Sequence, residues 1–265
     1  MTIFIAHPDD PRIAPYRFVR ERDLARADGF FIAEGDVVVQ RLLAQSRFSV
    51  HSVFVESHHA QRYSALVGAC PSSPPLYHAP RDVLSRIAGF PLHRGILALG
   101  RRGARVPLGA ALPGLPATAR LLAAIGIANH DNLGALLRNA AAFGIDLVVL
   151  DATCCDPLYR KAIRVSVGAA LTLPIAFADD GTTMLRALAA HHVQVLALSP
   201  SAGGDITSVV PSRRSALLVG SEGAGLPPDI LAACNSLRIT MAPGWDSLNV
   251  ATSAAIALYE LARRP

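Results

Sequence analysis

Polar residues with spacings that suit chemistry fall in three short segments of this 265-residue chain, all in its second half. The first is Asn132-Leu-Gly-Ala-Leu-Leu-Arg138. Leu133, Leu136, Leu137 and Ala140 stand at i, i+3, i+4 and i+7, which makes one apolar helix face. Arg138 lies outside that stripe and can reach a cleft or solvent. Asn132 is placed to cap the helix N-terminus. The second segment is Leu217-Leu-Val-Gly-Ser-Glu-Gly-Ala-Gly-Leu-Pro-Pro228, a strand running into a glycine-rich loop and then a helix that opens on proline. Glycines such as Gly220 let backbone N–H groups approach a ligand closely. The pattern GxxGxG is neither the dinucleotide fingerprint nor Walker A. A carboxylate in the loop also repels phosphate, so Glu222 suits a cation, a ligand amine or hydroxyl, or an arginine. The third segment, Ile239-Thr-Met-Ala-Pro-Gly-Trp-Asp-Ser-Leu-Asn249, opens a helix rich in small residues. Asp246 or Ser247 can cap that helix, and Ala251, Ala254 and Ala255 permit close approach of another backbone.

These segments need a frame, and the pattern around them supplies one. Strand-like runs at 121–127, 147–150, 193–198, 216–219 and 237–241 alternate with helical segments at 133–143, 182–191 and 228–233, and a last helix covers 247–262. Apolar strands separated by helices imply a mostly parallel sheet covered on both faces. Ligands bind such sheets beyond the C-terminal strand ends, here the loops after Ile127, Leu198, Val219 and Met241. Upstream, residues 101–119 hold three glycines and three prolines with no sustained period and read as a linker. The expected organisation is a domain over 1–103, a linker over 104–118 and a second domain over 119–265. The first domain reads as small and α/β, with helices at 16–27, 36–43, 59–67 and 81–87 and strands at 50–55 and 95–99.

Composition narrows the class. With 51% hydrophobic and 17% charged residues, the chain can bury a packed core and is not of the disordered type. No run approaches the ~18 apolar residues of a membrane span. The N-terminus lacks the basic start of a secretory leader, so a cytoplasmic location is expected. The four cysteines form neither a disulfide framework nor a CxxC pattern. His58-His59 and His191-His192 lack partners at ligand spacing, and no metal is expected. Residues up to 105 carry 14 arginines against 9 acids, whereas 11 cations and 11 acids follow, so the whole positive excess lies in the first part. Arg94, Arg101, Arg102 and Arg105 follow one another with no acid between them, which points to a polyanion partner such as RNA. A solvated linker in an arginine-biased sequence, whose only lysine is Lys161, is the competing reading.

Taken together, N-L-G-A-L-L-R-N-A-A-A-F-G at 132–144, L-V-G-S-E-G-A-G-L at 218–226 and S-L-N-V-A at 247–251 resemble the three motifs of the SpoU/TrmH family, RNA ribose 2′-O-methyltransferases of the SPOUT superfamily. A weaker resemblance, through Ala33-Glu34-Gly35 and His93-Arg94-Gly95-Ile96, is to that family's N-terminal substrate-binding domain, which has a ribosomal-protein-like α/β fold. The resemblance implies a C-terminal α/β sheet with a trefoil knot, S-adenosyl-methionine as cofactor, and a homodimer whose active site is completed across the interface. It places cofactor contacts on Gly220, Ile239 and Leu248, with Met241, Leu198 and Ser199 nearby, and the catalytic arginine on Arg138. Asn132, Glu222, Ser247 and Asn249 match its remaining polar positions. The chain departs from the family at Asn129-His130, where many members carry Asp-Pro, and at Thr240, where proline is usual. Arg138 is drawn in the family as a general base, but a guanidinium resists deprotonation, and clamping a phosphate while stabilising a developing alkoxide is the alternative. Ribosomal RNA is expected as substrate before transfer RNA. A base-methylating SPOUT enzyme and a non-catalytic RNA-binding protein on the same fold remain as competing classes. The absence of GxGxxG after a strand argues against a nicotinamide dehydrogenase.

Overall fold

A computed structural model of the chain describes residues 2–17, 29–89, 95–245 and 247–263. The strands are β1 (Thr2–Phe4), β2 (Phe30–Glu34), β3 (Val50–Glu56), β4 (Leu76–Ala79), β5 (Ile96–Arg101), β6 (Val106–Pro107), β7 (Ala119–Ala124), β8 (Leu147–Asp151), β9 (Ile175–Ala178), β10 (Gln194–Leu198), β11 (Gly204–Asp205), β12 (Arg214–Val219) and β13 (Asn235–Arg238). The helices are α1 (Asp36–Gln45), α2 (Ala60–Ala69), α3 (Arg81–Ala88), α4 (Leu108–Ala111), α5 (His130–Ala142), α6 (Arg160–Val165), α7 (Gly181–Ala190), α8 (Pro228–Ala232) and α9 (Val250–Ala262).

The chain divides into two units, Met1–Ala104 with Leu158–Thr172, and Arg105–Pro157 with Leu173–Pro265. In the first, a five-stranded sheet runs in the order β1-β4-β3-β5-β2. Its β1, β4 and β3 are parallel, and β5 lies antiparallel to both β3 and β2. Ile5, Ile13, Tyr16, Phe30, Phe54, Leu84, Leu97 and Leu99 form its core. The buried Tyr16 hydroxyl is matched to Ser52 Oγ at 2.8 Å. Burial, the dominant influence, pushes the Tyr16 phenol well above its ordinary value, so it stays neutral. The returning segment is tied to this unit by an ion pair between Arg160 and Glu34 at 2.9 Å and by Arg41 donating to the Val167 carbonyl at 2.8 Å.

The second unit is an eight-stranded sheet in the order β11-β13-β10-β12-β7-β8-β9-β6. All its strand pairs are parallel. Strand β8 is buried at every position and β12 at all but its first, as a sheet covered on both faces requires. From β7 the chain steps outward through β8 and β9, then crosses to the other side of β7. There β10 is laid down before β12 fills the gap beside β7, and β13 follows outside β10. The reversal is the topological switch point at which ligands bind in parallel sheets.

The expected parallel sheet is therefore present, with several differences in detail. The stretch read as a linker is folded: β6 pairs with β9, α4 follows, and Leu108 and Leu112, one helical turn apart, are buried in the second core. Its glycines and prolines punctuate elements too short to show a period. The expected boundaries also miss Leu158–Thr172, which belongs with the first unit. The expected strand over 237–241 ends at Arg238, which leaves Ile239 and Met241 in the loop beyond it. The helix expected over 16–27 falls mostly on residues 18–28, outside the described residues; Tyr16 itself ends a short 3-10 helix, Pro11–Tyr16. No described helix is long and apolar enough to cross a membrane.

Candidate active site

The loops after β10, β12 and β13 and the N-terminus of α9 enclose one cavity of about 400 Å³. Leu198, Val219, Leu237, Ile239, Met241 and Leu248 give it apolar walls, and Ser199, Gly220, Glu222, Ser247 and Asn249 add polar groups. All six residues expected to contact a cofactor thus line a single space, at three of the four strand ends the alternation of elements pointed to; the loop after Ile127 contributes no lining residue. The loop after β12 folds back on itself: Ser221 and Gly225 form a bridge pair, with the Gly225 N–H donating to the Ser221 carbonyl at 3.1 Å. Gly220 is pressed against this turn. A Cβ there would stand 2.5 Å from both the Gly225 carbonyl carbon and the Leu226 nitrogen, so only glycine fits.

The three motifs meet at one side chain. Asn249 is the N-cap of α9, where its Oδ1 accepts from the Ala251 and Thr252 N–H groups at 2.9 and 3.3 Å. Its Nδ2 donates to Asn132 Oδ1 at 2.9 Å and to Glu222 Oε1 at 3.0 Å. The expected caps are corrected here. Asn249 rather than Ser247 caps α9, Asp246 lying outside the described residues. On α5 the cap is Asn129, whose Oδ1 accepts from the Asp131 N–H at 2.8 Å. Asn132 sits inside that helix, buried, with its amide oxygen committed to Asn249. Helices α5 and α9 are joined again by the Asn139 amide, which donates to the Ala251 carbonyl at 2.8 Å.

Two further ties hold loops at the C-terminal ends of the strands, and the sequence reading missed both. The buried Asp151 carboxylate, at the end of β8, accepts from the N–H groups of Gly126 and Cys154 at 3.1 and 3.0 Å and from the Thr153 hydroxyl at 2.6 Å. It thereby sets the loops after β7 and β8. Thr240, at the position where the family usually has proline, donates its hydroxyl to Asp205. The Thr207 and Thr240 hydroxyls hold the Asp205 carboxyl down at about 2. Burial raises the Cys154 and Cys155 thiols to about 12 and about 11, so both stay protonated and weakly nucleophilic at neutral pH.

Arg138 lies on the exposed side of α5, six residues beyond Asn132 and so about 9 Å further along the helix axis. It does not line its own chain's cavity and makes no hydrogen bond or ion pair with a described residue. Of the arginines expected to touch RNA, Arg94 lies outside the described residues. Arg101 and Arg105 are exposed, each over a ring: Arg101 at 5.1 Å from Phe30 and Arg105 at 4.7 Å from Phe177. Arg102 is half-buried, and its Nε donates to the Phe30 carbonyl at 2.9 Å. Among the described residues no group of three His, Cys, Asp or Glu is placed to hold a metal ion.

A parallel sheet with an apolar, glycine-edged cavity at the C-terminal ends of β10, β12 and β13 is the arrangement of an α/β protein that holds a small organic cofactor, and about 400 Å³ is within the usual size of such sites. Comparison with known proteins makes the class specific. The SpoU rRNA Methylase family profile matches residues 119–259. A protein of Mycobacterium bovis described as an uncharacterised tRNA/rRNA methyltransferase is 40% identical, over 98% of this chain and 91% of its own length. Among solved structures, an rRNA methyltransferase from Sinorhizobium meliloti with AdoMet bound superposes with a TM-score of 0.81 at 22% identity, covering 99% of this chain and 98% of its own. An RNA 2′-O ribose methyltransferase superposes with a TM-score of 0.78 at 26% identity, covering 100% and 99%. The chain belongs to the SpoU rRNA methylase family. It is an RNA methyltransferase, and S-adenosyl-methionine is its cofactor.

Proposed function

We propose that the methyl group goes to a ribose 2′-hydroxyl of structured ribosomal RNA, and that the enzyme works as a homodimer in the cytoplasm. The observation that carries this reading is the amide of Asn249, which binds Asn132 of the first motif and Glu222 of the second at the edge of the cavity. That junction ties the three motifs together and fixes Glu222 and the N-terminus of α9 beside the apolar cofactor site, where a sugar hydroxyl would arrive. Bound S-adenosyl-methionine supplies an electrophilic methyl group on a sulfonium. The chain's own residues do the rest. Leu198, Ile239, Met241 and Leu248 exclude water, and Ser199 and Gly220 hold the cofactor's polar groups. Ser247 holds the sugar, while Asn249, its amide fully committed to Asn132, Glu222 and the N-terminus of α9, fixes with Glu222 the loop that faces it. Fixing both reactants in near-attack geometry supplies several kcal/mol of the barrier reduction, on the order of 7–11 in well-oriented cases.

Arg138 is the remaining catalytic group. It clamps the phosphate next to the reacting ribose with two parallel hydrogen bonds and stabilises negative charge growing on the attacking oxygen, while the hydroxyl proton passes to water and the demethylated thioether of the cofactor leaves. Its exposure, away from its own chain's cavity, supports its use in the cavity of a second copy. Ile256 and Tyr259, both exposed on α9, supply apolar surface for that dimer. The order β13-β10-β12-β7, laid down out of chain order, supports the trefoil knot expected of the family. We assign RNA docking to the first unit, with Arg94 and Arg101, and to Arg105 at the edge of the second.

The test uses labelled cofactor and unmodified ribosomal RNA transcribed in vitro, followed by alkaline hydrolysis. A ribose methyl blocks attack of that oxygen on the adjoining phosphate, so the label is expected in an alkali-stable dinucleotide. Label released in mononucleotides would assign the methyl to a base and overturn the reading, as would absence of transfer.

A further inference from the structure

Trp245 is the only tryptophan of the chain, and the fold leaves it 76% exposed. A large aromatic ring in water is informative, because folding usually buries such surface. Its place is equally so. It lies between Met241 and Ser247, which both line the cofactor cavity, yet it is not itself a lining residue. The Pro243-Gly244 turn presents it: proline presets the first central position, and Gly244 at φ +87° takes the left-handed second position that a type II turn demands. Trp245 therefore stands beside the cavity, two residues from Ser247, with its Cα within roughly 7 Å of that residue's along the backbone. Leu248, 42% exposed, continues the apolar rim.

We propose that Trp245 is a stacking platform for a base of the RNA substrate, next to the nucleotide whose hydroxyl is methylated. The inference rests on the methyltransferase reading and adds a specificity-determining residue to it. An unpaired base presents a flat π-face that an exposed indole matches without hydrogen-bond readout, and single-stranded or looped RNA is recognised in this way. A nucleotide whose ribose enters the cavity carries its neighbours across the rim, where the turn places the backbone from which the ring projects.

Because Trp245 is the sole tryptophan, its emission reports on this surface alone. In the free protein it should be open to acrylamide quenching and unaffected by saturating S-adenosyl-methionine. Titration of the cofactor-loaded enzyme with the unmodified ribosomal RNA should quench it. Trp245→Ala should raise KM for RNA roughly five- to a hundred-fold with kcat changed less than about threefold, and Trp245→Phe, which keeps a stacking face, should recover most of the loss. Emission protected from acrylamide in the free protein would show a second copy covering the ring and overturn the proposal. So would quenching by cofactor alone, no response to bound RNA, or an unchanged KM in Trp245→Ala. Absence of methyl transfer by the wild-type enzyme would instead sink the functional reading, while the emission titration still decides whether RNA meets the ring.

Discussion

Replacing Asn249 by alanine and by serine separates the two tasks of one side chain. Alanine removes the acceptor for the Ala251 and Thr252 N–H groups and the donor to Asn132 and Glu222. Loss of a polar N-cap costs about 1 kcal/mol. Asn132 is buried, so leaving its amide oxygen unpaired costs a further ~1–3 kcal/mol. Glu222 is exposed, and water takes the place of the lost amide there. Asn249→Ala should therefore destabilise by about 2–4 kcal/mol. Serine restores the cap acceptor but is too short to reach Asn132, so it should recover about 1 kcal/mol of that loss. In thermal melts the serine variant should stand roughly 2–4 °C above the alanine variant, with both below wild type. Methyl transfer should respond differently. Both variants lose the tie between the motifs, and both should fall at least roughly tenfold in kcat/KM, whatever their melting order. A serine variant that melts and methylates like wild type would refute the reasoning, because the amide junction would then do nothing. Equal melting of serine and alanine would remove the cap from the account.

The other expectations are more compact. Gly220→Ala should leave the helical circular dichroism intact but weaken S-adenosyl-methionine binding at least roughly tenfold by calorimetry, since the added Cβ collides with the Gly225 and Leu226 backbone; unchanged affinity would show the turn to be slack. Arg138→Ala should abolish turnover with cofactor affinity unchanged, and full activity in Arg138→Lys would exclude a two-pronged phosphate clamp. Neutralising Arg101 and Arg105 together should weaken RNA binding and lower its salt slope by ~0.7–0.9 per lost phosphate contact, and an unchanged slope would return them to ordinary solvated surface. Arg102→Ala should act on the melting temperature instead, because that guanidinium is bonded to the Phe30 carbonyl; a loss of RNA affinity with no change in melting would reverse the assignment. Asp205 has its carboxyl lowered from 3.8 to about 2, so the stability it contributes is fully present above 3.8 and is lost as pH falls through 2. Wild type should accordingly exceed Asp205→Asn in urea midpoint at about pH 5, with the difference closing by about pH 2; a gap that persists in acid would rule out this tie.

Strands β7, β8, β10 and β12 were legible in the sequence because each is a short apolar run between helices whose stripes repeat at the helical period. Asn132, Glu222 and Asn249 stood out as short polar residues at the edges of those elements, which is where parallel sheets put their chemistry. What escaped had no local signal. Strand β9 carries only four residues, Ile175–Ala178, and the 104–118 stretch hides its elements between prolines. The return of Leu158–Thr172 to the first unit is a long-range event, fixed by pairs such as Arg160 with Glu34 that lie 126 residues apart. The caps were misplaced for a related reason. Several Asn, Asp and Ser side chains stand at each helix entrance, and the choice falls to the one whose other hydrogen bonds are also satisfied. For α9 that is Asn249, because Asn132 and Glu222 wait for its amide.

The measurement that bears most directly on the account is a map of ribose methylations in total RNA from cells with and without this gene. Loss of one 2′-O-methyl group in ribosomal RNA, restored by the wild-type gene and not by Arg138→Ala, is the expected result. An unchanged ribose profile, or the loss of a base methylation in its place, would contradict it.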